Sequence, residues 1–295
     1  MKLFDQLIKP IALYGCEIWG VILNMKNPRM GGINRLIDKY ENALVNKVHI
    51  RYCKYSVGVN TRCTNYAVLG ELGRYPLSIE IIIQILKFFQ HVKTNESNNN
   101  ILTEAMKESQ KIHFNGGVSW FTGFNAISRT VGISENDINK RSIDRLRQTL
   151  KEEFIKKWAE TVDRQNKMVT YKKVKTGFHY ENYLTIVKNK DHRQSMTRMR
   201  TSAHRLMIEK GRHLKIPRED RLCPKCSMNV EDEQHVLIEC PAYNERRQTA
   251  LDRISEMCPN FTRLNSHDQM TFLLSAEGES SIIVAEFCHN ILADR

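Results

Sequence analysis

A mainly α-helical fold is predicted, with a multi-helical body, a small cysteine-rich module and a helical tail. Three observations carry this reading. Apolar residues recur at steps of three and four through most of the 295 residues. An alternating pattern is confined to Met168–Lys175. Three of the eight cysteines crowd into one short stretch. Hydrophobic residues make up 41% and charged residues 26%, ordinary values for a chain that buries a core. A wholly disordered chain is therefore excluded.

The elements follow in order. Leu3, Leu7, Ile8 and Ile11 step like a helix, with Pro10 inside it or at its edge. Tyr14 to Leu23 is apolar and aromatic, broken by Gly15 and Gly20. Ile33 to Val48 reads as one helix with Leu36, Ile37, Tyr40, Leu44 and Val48 on a single face. Thr61 to Gly70 predicts a short helix. Pro76 can open the next one, since a first-turn proline loses no needed N–H. That helix carries Ile79, Ile82, Ile83, Leu86 and Phe89 on one stripe and Ile81, Ile85 and Phe88 on a second, so more than one side should be buried. Asn95 to Asn100 is a polar break.

Ile101 to Ile112 predicts a helix closed by Asn115-Gly116-Gly117. Ile143, Leu146, Leu150, Phe154, Trp158 and Val162 mark a long amphipathic helix whose other face is basic. Met168–Lys175 suggests a short strand or extended arm. Lys188 to Asp191 is a second polar break, and Ser195–Leu206 reads as a helix with Met196, Met199, Ala203 and Leu206 facing the core. Glu209–Arg212 ends it, with Gly211 as a C-cap. Phe272–Leu274 and the stripe Ile282, Ile283, Val284, Phe287, Ile291, Leu292 predict a tail that docks on the core. The segments are thus 1–95, 96–190, 191–250 and 251–295.

No run approaches 18 apolar residues, so a membrane span is not expected. Asp5, Gln6 and Lys9 interrupt any secretory signal, and eight cysteines are too sparse for a disulfide scaffold. The expectation is an intracellular protein, in cytoplasm or nucleus. Net charge is +12, and residues 140–221 alone hold 23 Lys/Arg against 10 Asp/Glu. Such a localised excess suits polyanions, nucleic acid first and an acidic membrane surface second. A solvated helical face is the plainer alternative.

Cys223-Pro224-Lys225-Cys226, then His235 and Cys240, form a C-x2-C-x8-H-x4-C pattern. Three thiolates and an imidazole within so short a stretch suit a closed tetrahedral zinc site with no position left for water, hence structural rather than catalytic. A redox pair would need a βαβ setting, which is missing. Glu231-Asp232-Glu233 can open a short helix carrying His235. Cys240, ahead of Pro241, should be extended and fold back towards the other ligands. Cys16, Cys53, Cys63, Cys258 and Cys288 are scattered and read as core or free thiols. Arg198, Arg200, Arg205, Lys210, Arg212, Lys215, Arg218 and Arg221 are the candidate phosphate contacts. Glu209, Glu219 and Asp220 could instead hold these cations in a structural network.

The run from His204-Arg205-Leu206 through Ile216-Pro217-Arg218-Glu219-Asp220-Arg221-Leu222-Cys223-Pro224-Lys225-Cys226 to Cys240-Pro241-Ala242-Tyr243 resembles the C-terminal zinc-knuckle region of non-LTR (LINE-type, jockey-like) retrotransposon reverse transcriptases. Tyr14-Gly15-Cys16-Glu17-Ile18-Trp19 resembles the stretch that follows the palm in that family, and Asn65–Leu77 its thumb. The resemblance covers about residues 1–250, with the middle alike only in being helical and basic. It implies a thumb-like region (1–95), a basic linker (96–190), a basic helix with its CCHC knuckle (191–250) and a helical tail (251–295). RNA or DNA is the implied partner, with no small-molecule substrate. The family's two-metal chemistry needs converging palm carboxylates. This chain contains no Asp-Asp pair, so no polymerase site of its own is expected. A zinc-stabilised protein-interaction module is the competing expectation.

Overall fold

The structure is a computed structural model that describes residues 2–25, 31–95 and 101–295. The chain is mainly helical, as predicted, and among the described residues two isolated antiparallel bridges stand in place of any sheet. It divides into two compact units, Met1–Tyr52 with Tyr75–Ala159, and Cys53–Arg74 with Glu160–Arg295. These units cut across the four sequence segments. Apart from Asn95, the polar break at 95–100 lies outside the described residues.

In the first unit the Leu77–Thr94 helix is the central element. Both of its stripes are used: Ile79, Ile82, Ile83, Leu86 and Phe89 are buried, and so are Ile81 and Ile85. Pro76 caps it, and Asn46 Oδ1 accepts the buried Leu77 N–H at 3.0 Å. The Cys16–Met25 helix packs against it through Gly20, where a Cβ would lie 2.7 Å from Ile81 Cγ2. Tyr40 fixes the same spot by donating its hydroxyl to the Gly20 carbonyl at 3.0 Å. From the Trp120–Val131 helix, Phe124 stacks on Phe89 at 4.1 Å between ring centroids.

The long amphipathic helix runs Lys140–Arg164, and all six of its predicted apolar positions are buried. Much of its basic face is engaged within the unit. Arg147 pairs with Glu80 at 2.6 Å, Lys157 bonds Asp38, and Lys151 lies over the Tyr75 ring.

Two expectations fail here. The stretch read as one helix over Ile33–Val48 is two, Ile33–Glu41 and Leu44–Val57. The Asn42 amide bonds the Asp38 carbonyl at 3.2 Å, competing with helix continuation, and the buried face changes at the break. Leu36, Ile37 and Tyr40 are buried, whereas Leu44 and Val48 are exposed. At the start of the chain Phe4 is the buried residue, while Leu3, Leu7 and Ile11 face out. No single described helix is long and apolar enough to cross a membrane; the bent pair Phe4–Ala12 and Cys16–Leu23 reaches that length and apolarity together.

In the second unit the Lys190–Arg200 helix lies against the Gly278–Ala293 helix, burying Met196 and Met199 on one side and Ile283, Val284, Phe287 and Ile291 on the other. The tail therefore docks on the core as expected. At the end of the first of these helices Arg200 is 1% exposed. Its Nε and Nη2 donate to Glu71 at 2.9 and 3.0 Å, Nη2 also pairs with Glu181 at 2.9 Å, and Nη1 bonds the Leu274 carbonyl. The Tyr183 hydroxyl donates to the same Glu71 carboxylate at 2.6 Å.

Three local expectations are corrected. Met168–Lys175 is not extended: Val169–Val174 is helical, with Thr170, Tyr171 and Val174 buried at helical spacing. The Tyr171 hydroxyl anchors that turn by donating to the Ala67 carbonyl at 3.1 Å. The Ser195–Leu206 helix stops at Arg200, where Thr201 turns and Ser202 takes a φ of 50°. Ala203 and Leu206 are nevertheless buried as predicted. A separate helix, Met207–His213, then follows, so Gly211 is an interior position; a Cβ there would lie 2.5 Å from Arg221 Cγ.

Two measurements test this packing. Gly20→Ala inserts a methyl against Ile81 and should cost about 1–3 kcal/mol in denaturant unfolding. Glu71→Gln leaves buried Arg200 with Glu181 as its one remaining carboxylate partner and should cost up to roughly 3–5 kcal/mol.

Candidate metal centre

Residues 222–230 make a tight ribbon. Leu222 and Val230 form an antiparallel bridge, the Cys223 N–H donates to the Asn229 carbonyl at 2.8 Å, and the Ser227 N–H donates to the Cys223 carbonyl at 2.7 Å. Ser227 adopts a φ of 56° to close the turn. The ribbon turns Cys223 and Cys226 towards one point.

The other two donors come from the next segment. Asp232 accepts the His235 N–H at 2.9 Å and so caps the wide π-type turn His235–Glu239. This is how the predicted acidic start works: one carboxylate bonds an N–H that the turn leaves unpaired. The Cys240 N–H returns to the His235 carbonyl at 2.7 Å. Cys240 itself is extended (φ −62°, ψ 119°), as the following proline requires. Arg247 locks the exit by donating to the Leu237 and Cys240 carbonyls at 2.9 and 2.7 Å.

The donor atoms of Cys223, Cys226, His235 and Cys240 lie within 4.8 Å of one another, and this group could hold a metal ion. Cys223 Sγ is 3.9 Å from Cys240 Sγ, and Cys226 Sγ is 3.3 Å from His235 Nε2. His235 Nδ1 is buried without a hydrogen-bond partner, with Glu239 at 3.9 Å. Burial pushes the Cys240 thiol up to about 12. Burial also acts on Cys226, but the Met228 and Asn229 N–H groups and the neighbouring thiols outweigh it and hold that thiol below its usual value. Burial holds His235 below the usual imidazole value. Of the remaining cysteines, Cys16, Cys53, Cys63 and Cys288 are buried and Cys258 is half-buried.

Several supports of the site do work that the sequence pattern did not indicate. Glu231 and Glu233 are both buried. Glu231 accepts the Met207 N–H at 2.7 Å and pairs with Arg295. Glu233 accepts from Ser202 Oγ and His204 Nε2, each at 2.9 Å. Burial would raise the Glu233 carboxyl, but His204 and Ser202 outweigh it and hold it down at about 2. Arg247 and Arg295 lie several turns or a whole tail away in sequence, which is why spacing could not reveal them.

The eight candidate phosphate contacts separate into two groups. Arg205, Lys210, Lys215 and Arg218 are exposed, Arg218 standing 3.8 Å from Asp232. The others are used internally. Arg200 is buried and cannot meet a ligand surface, because Glu71, Glu181 and Leu274 take its guanidinium. Arg198 donates to the Gly58 carbonyl at 2.7 Å, Arg221 to the Ile208 and Ile216 carbonyls, and Arg212 pairs with Glu209 at 2.7 Å. Of the three acids expected to compete, Glu209 is buried in such a pair, and Glu219 and Asp220 are exposed.

If the four residues hold a metal that supports the fold, chelation should loosen this module first. Amide hydrogen exchange should rise across residues 207–243 on adding a strong chelator, and Cys223→Ser should show the same rise without it. Unchanged protection after verified metal removal would contradict a structural role.

Set against family models, curated proteins and solved structures, the chain matches none.

Proposed function

We propose that this chain is a nucleic-acid-binding module of the kind found at the C-terminal end of non-LTR retrotransposon reverse transcriptases. It holds RNA or DNA by the backbone, around a structural zinc ion at Cys223, Cys226, His235 and Cys240, and it has no polymerase site of its own. The observation that carries this reading is the exposure of Arg205, Lys210, Lys215 and Arg218 on the chain leading into the Cys/His ribbon. They lie in the segment where Lys and Arg outnumber Asp and Glu 23 to 10. Phosphate contact supplies affinity in proportion to such cations, whereas base readout needs an element that enters a groove. Binding with little sequence preference follows.

The donor set supports zinc. Tetrahedral zinc with Zn–S near 2.3 Å and Zn–N near 2.0–2.1 Å implies donor separations of about 3.6–3.8 Å. The separations of 3.9 Å between Cys223 and Cys240 and 3.3 Å between Cys226 and His235 bracket that range. Bound there, zinc supplies a folding cross-link and no reaction, since four protein ligands leave no open position. The chain's own cations then do the binding.

A second reading, a zinc-stabilised scaffold for protein contacts, is favoured by one observation: Arg198, Arg200, Arg212 and Arg221 are engaged inside the unit. RNA binding by the zinc-loaded chain across a salt series separates the two. Log affinity should fall linearly with log salt, with a slope near −0.7 for each phosphate contact on a single strand. Replacing Arg205, Lys210, Lys215 and Arg218 with alanine should flatten that slope by up to about 3. Binding that is undetectable at low salt, or a slope unmoved by the fourfold change, would leave the scaffold reading in its place.

A further inference from the structure

We infer that Arg295 is a positioning residue for the metal centre, supplying the positive charge that a zinc ion bound by three thiolates leaves unmatched. The inference rests on the zinc reading above. Zn²⁺ with three thiolates and a neutral imidazole leaves one net negative charge on the centre. Cys223, Cys240 and His235 are buried, so water does little to offset that charge.

A second anion makes the problem worse. Glu231 is 1% exposed, and its Oε1 lies 3.9 Å from Cys223 Sγ. Two like charges this close and this dry repel strongly unless a cation joins them. Arg295 is placed between them. Its Nη2 donates to Cys223 Sγ at 3.5 Å and pairs with Glu231. The Arg295 side chain is 10% exposed, so the interaction is sheltered from screening. Arg247, the other arginine at the site, is turned to the Leu237 and Cys240 carbonyls instead. A guanidinium is always charged and more weakly hydrated than an ammonium, so it suits a buried position beside a sulfur and a carboxylate better than a lysine does.

The contact also ties two distant parts of the chain. Arg295 follows the Gly278–Ala293 helix, which packs on the Lys190–Arg200 helix. Glu231 also receives the Met207 N–H that opens the next helix. Metal loading, the seating of the tail and the start of Met207–His213 therefore share one ion pair.

The test uses the full chain and zinc itself. Zinc affinity is measured by competition with a chromophoric chelator, and alkylation of Cys223 in the loaded protein by iodoacetamide is followed by mass spectrometry. Arg295→Gln should bind zinc about 10- to 100-fold more weakly, the range seen when a group that bonds a ligand is removed. It should also alkylate faster at Cys223. Arg295→Lys, which keeps the charge but carries it on a more strongly hydrated ammonium, should fall between Arg295→Gln and the parent. Adding Glu231→Gln to Arg295→Gln should recover part of the lost affinity, because the repelling carboxylate is gone while its oxygen can still accept the Met207 N–H. A role confined to the Arg295–Glu231 pair predicts restored unfolding stability in the double variant, with zinc affinity and Cys223 alkylation unmoved in all three variants. Arg295→Gln that binds zinc as tightly as the parent and alkylates as slowly overturns this inference alone. A parent chain that takes up no zinc overturns the zinc reading and the inference with it.

Discussion

Three sulfurs and an imidazole nitrogen converge within 4.8 Å, and the second unit is arranged to keep them there. Burial lifts the Cys240 thiol, while N–H donors and the neighbouring thiols outweigh burial at Cys226 and lower it. A cation bound there would deprotonate the thiols outright. The gain would be large for a small module, on the order of 10 kcal/mol for structural zinc sites. It would offset the ordering of a ribbon that has a single antiparallel bridge and a serine at positive φ. Asp232, Arg247 and the Ser202–His204–Glu233 group hold the surrounding backbone from three sides.

The basic excess divides by burial. Arg200 joins Glu71, Glu181 and Tyr183 in a dry network that fixes where the Lys190–Arg200 helix ends. Breaking such a pair is costly because it strands a charge, even though the pair itself adds little net stability. Arg205, Lys210, Lys215 and Arg218 remain at the surface. Net charge therefore overstates the cations available to a polyanion, and the structure separates the two kinds where composition could not.

The parts of the fold legible in sequence are those governed by periodicity. The buried face of Lys140–Arg164, the two stripes of Leu77–Thr94 and the tail stripe all follow from steps of three and four. Breaks set by one side chain were not legible. Asn42 ends a helix whose apolar pattern continues past it, and Ser202 turns the chain inside another. Val169–Val174 misled because two basic residues gave it a false alternation, while Tyr171 is held in a helical turn by the distant Ala67 carbonyl. At the site, ligand spacing revealed the four donors. Arg295 and Glu233's partners are tertiary contacts, invisible to any spacing rule.

The central claim is a Cys3His zinc site in this chain. X-ray absorption at the zinc edge of the loaded protein tests it most directly. Three sulfurs near 2.3 Å and one nitrogen near 2.0–2.1 Å are the predicted shell. A shell with oxygen in place of any sulfur, or no zinc retained at one per chain, would contradict the account.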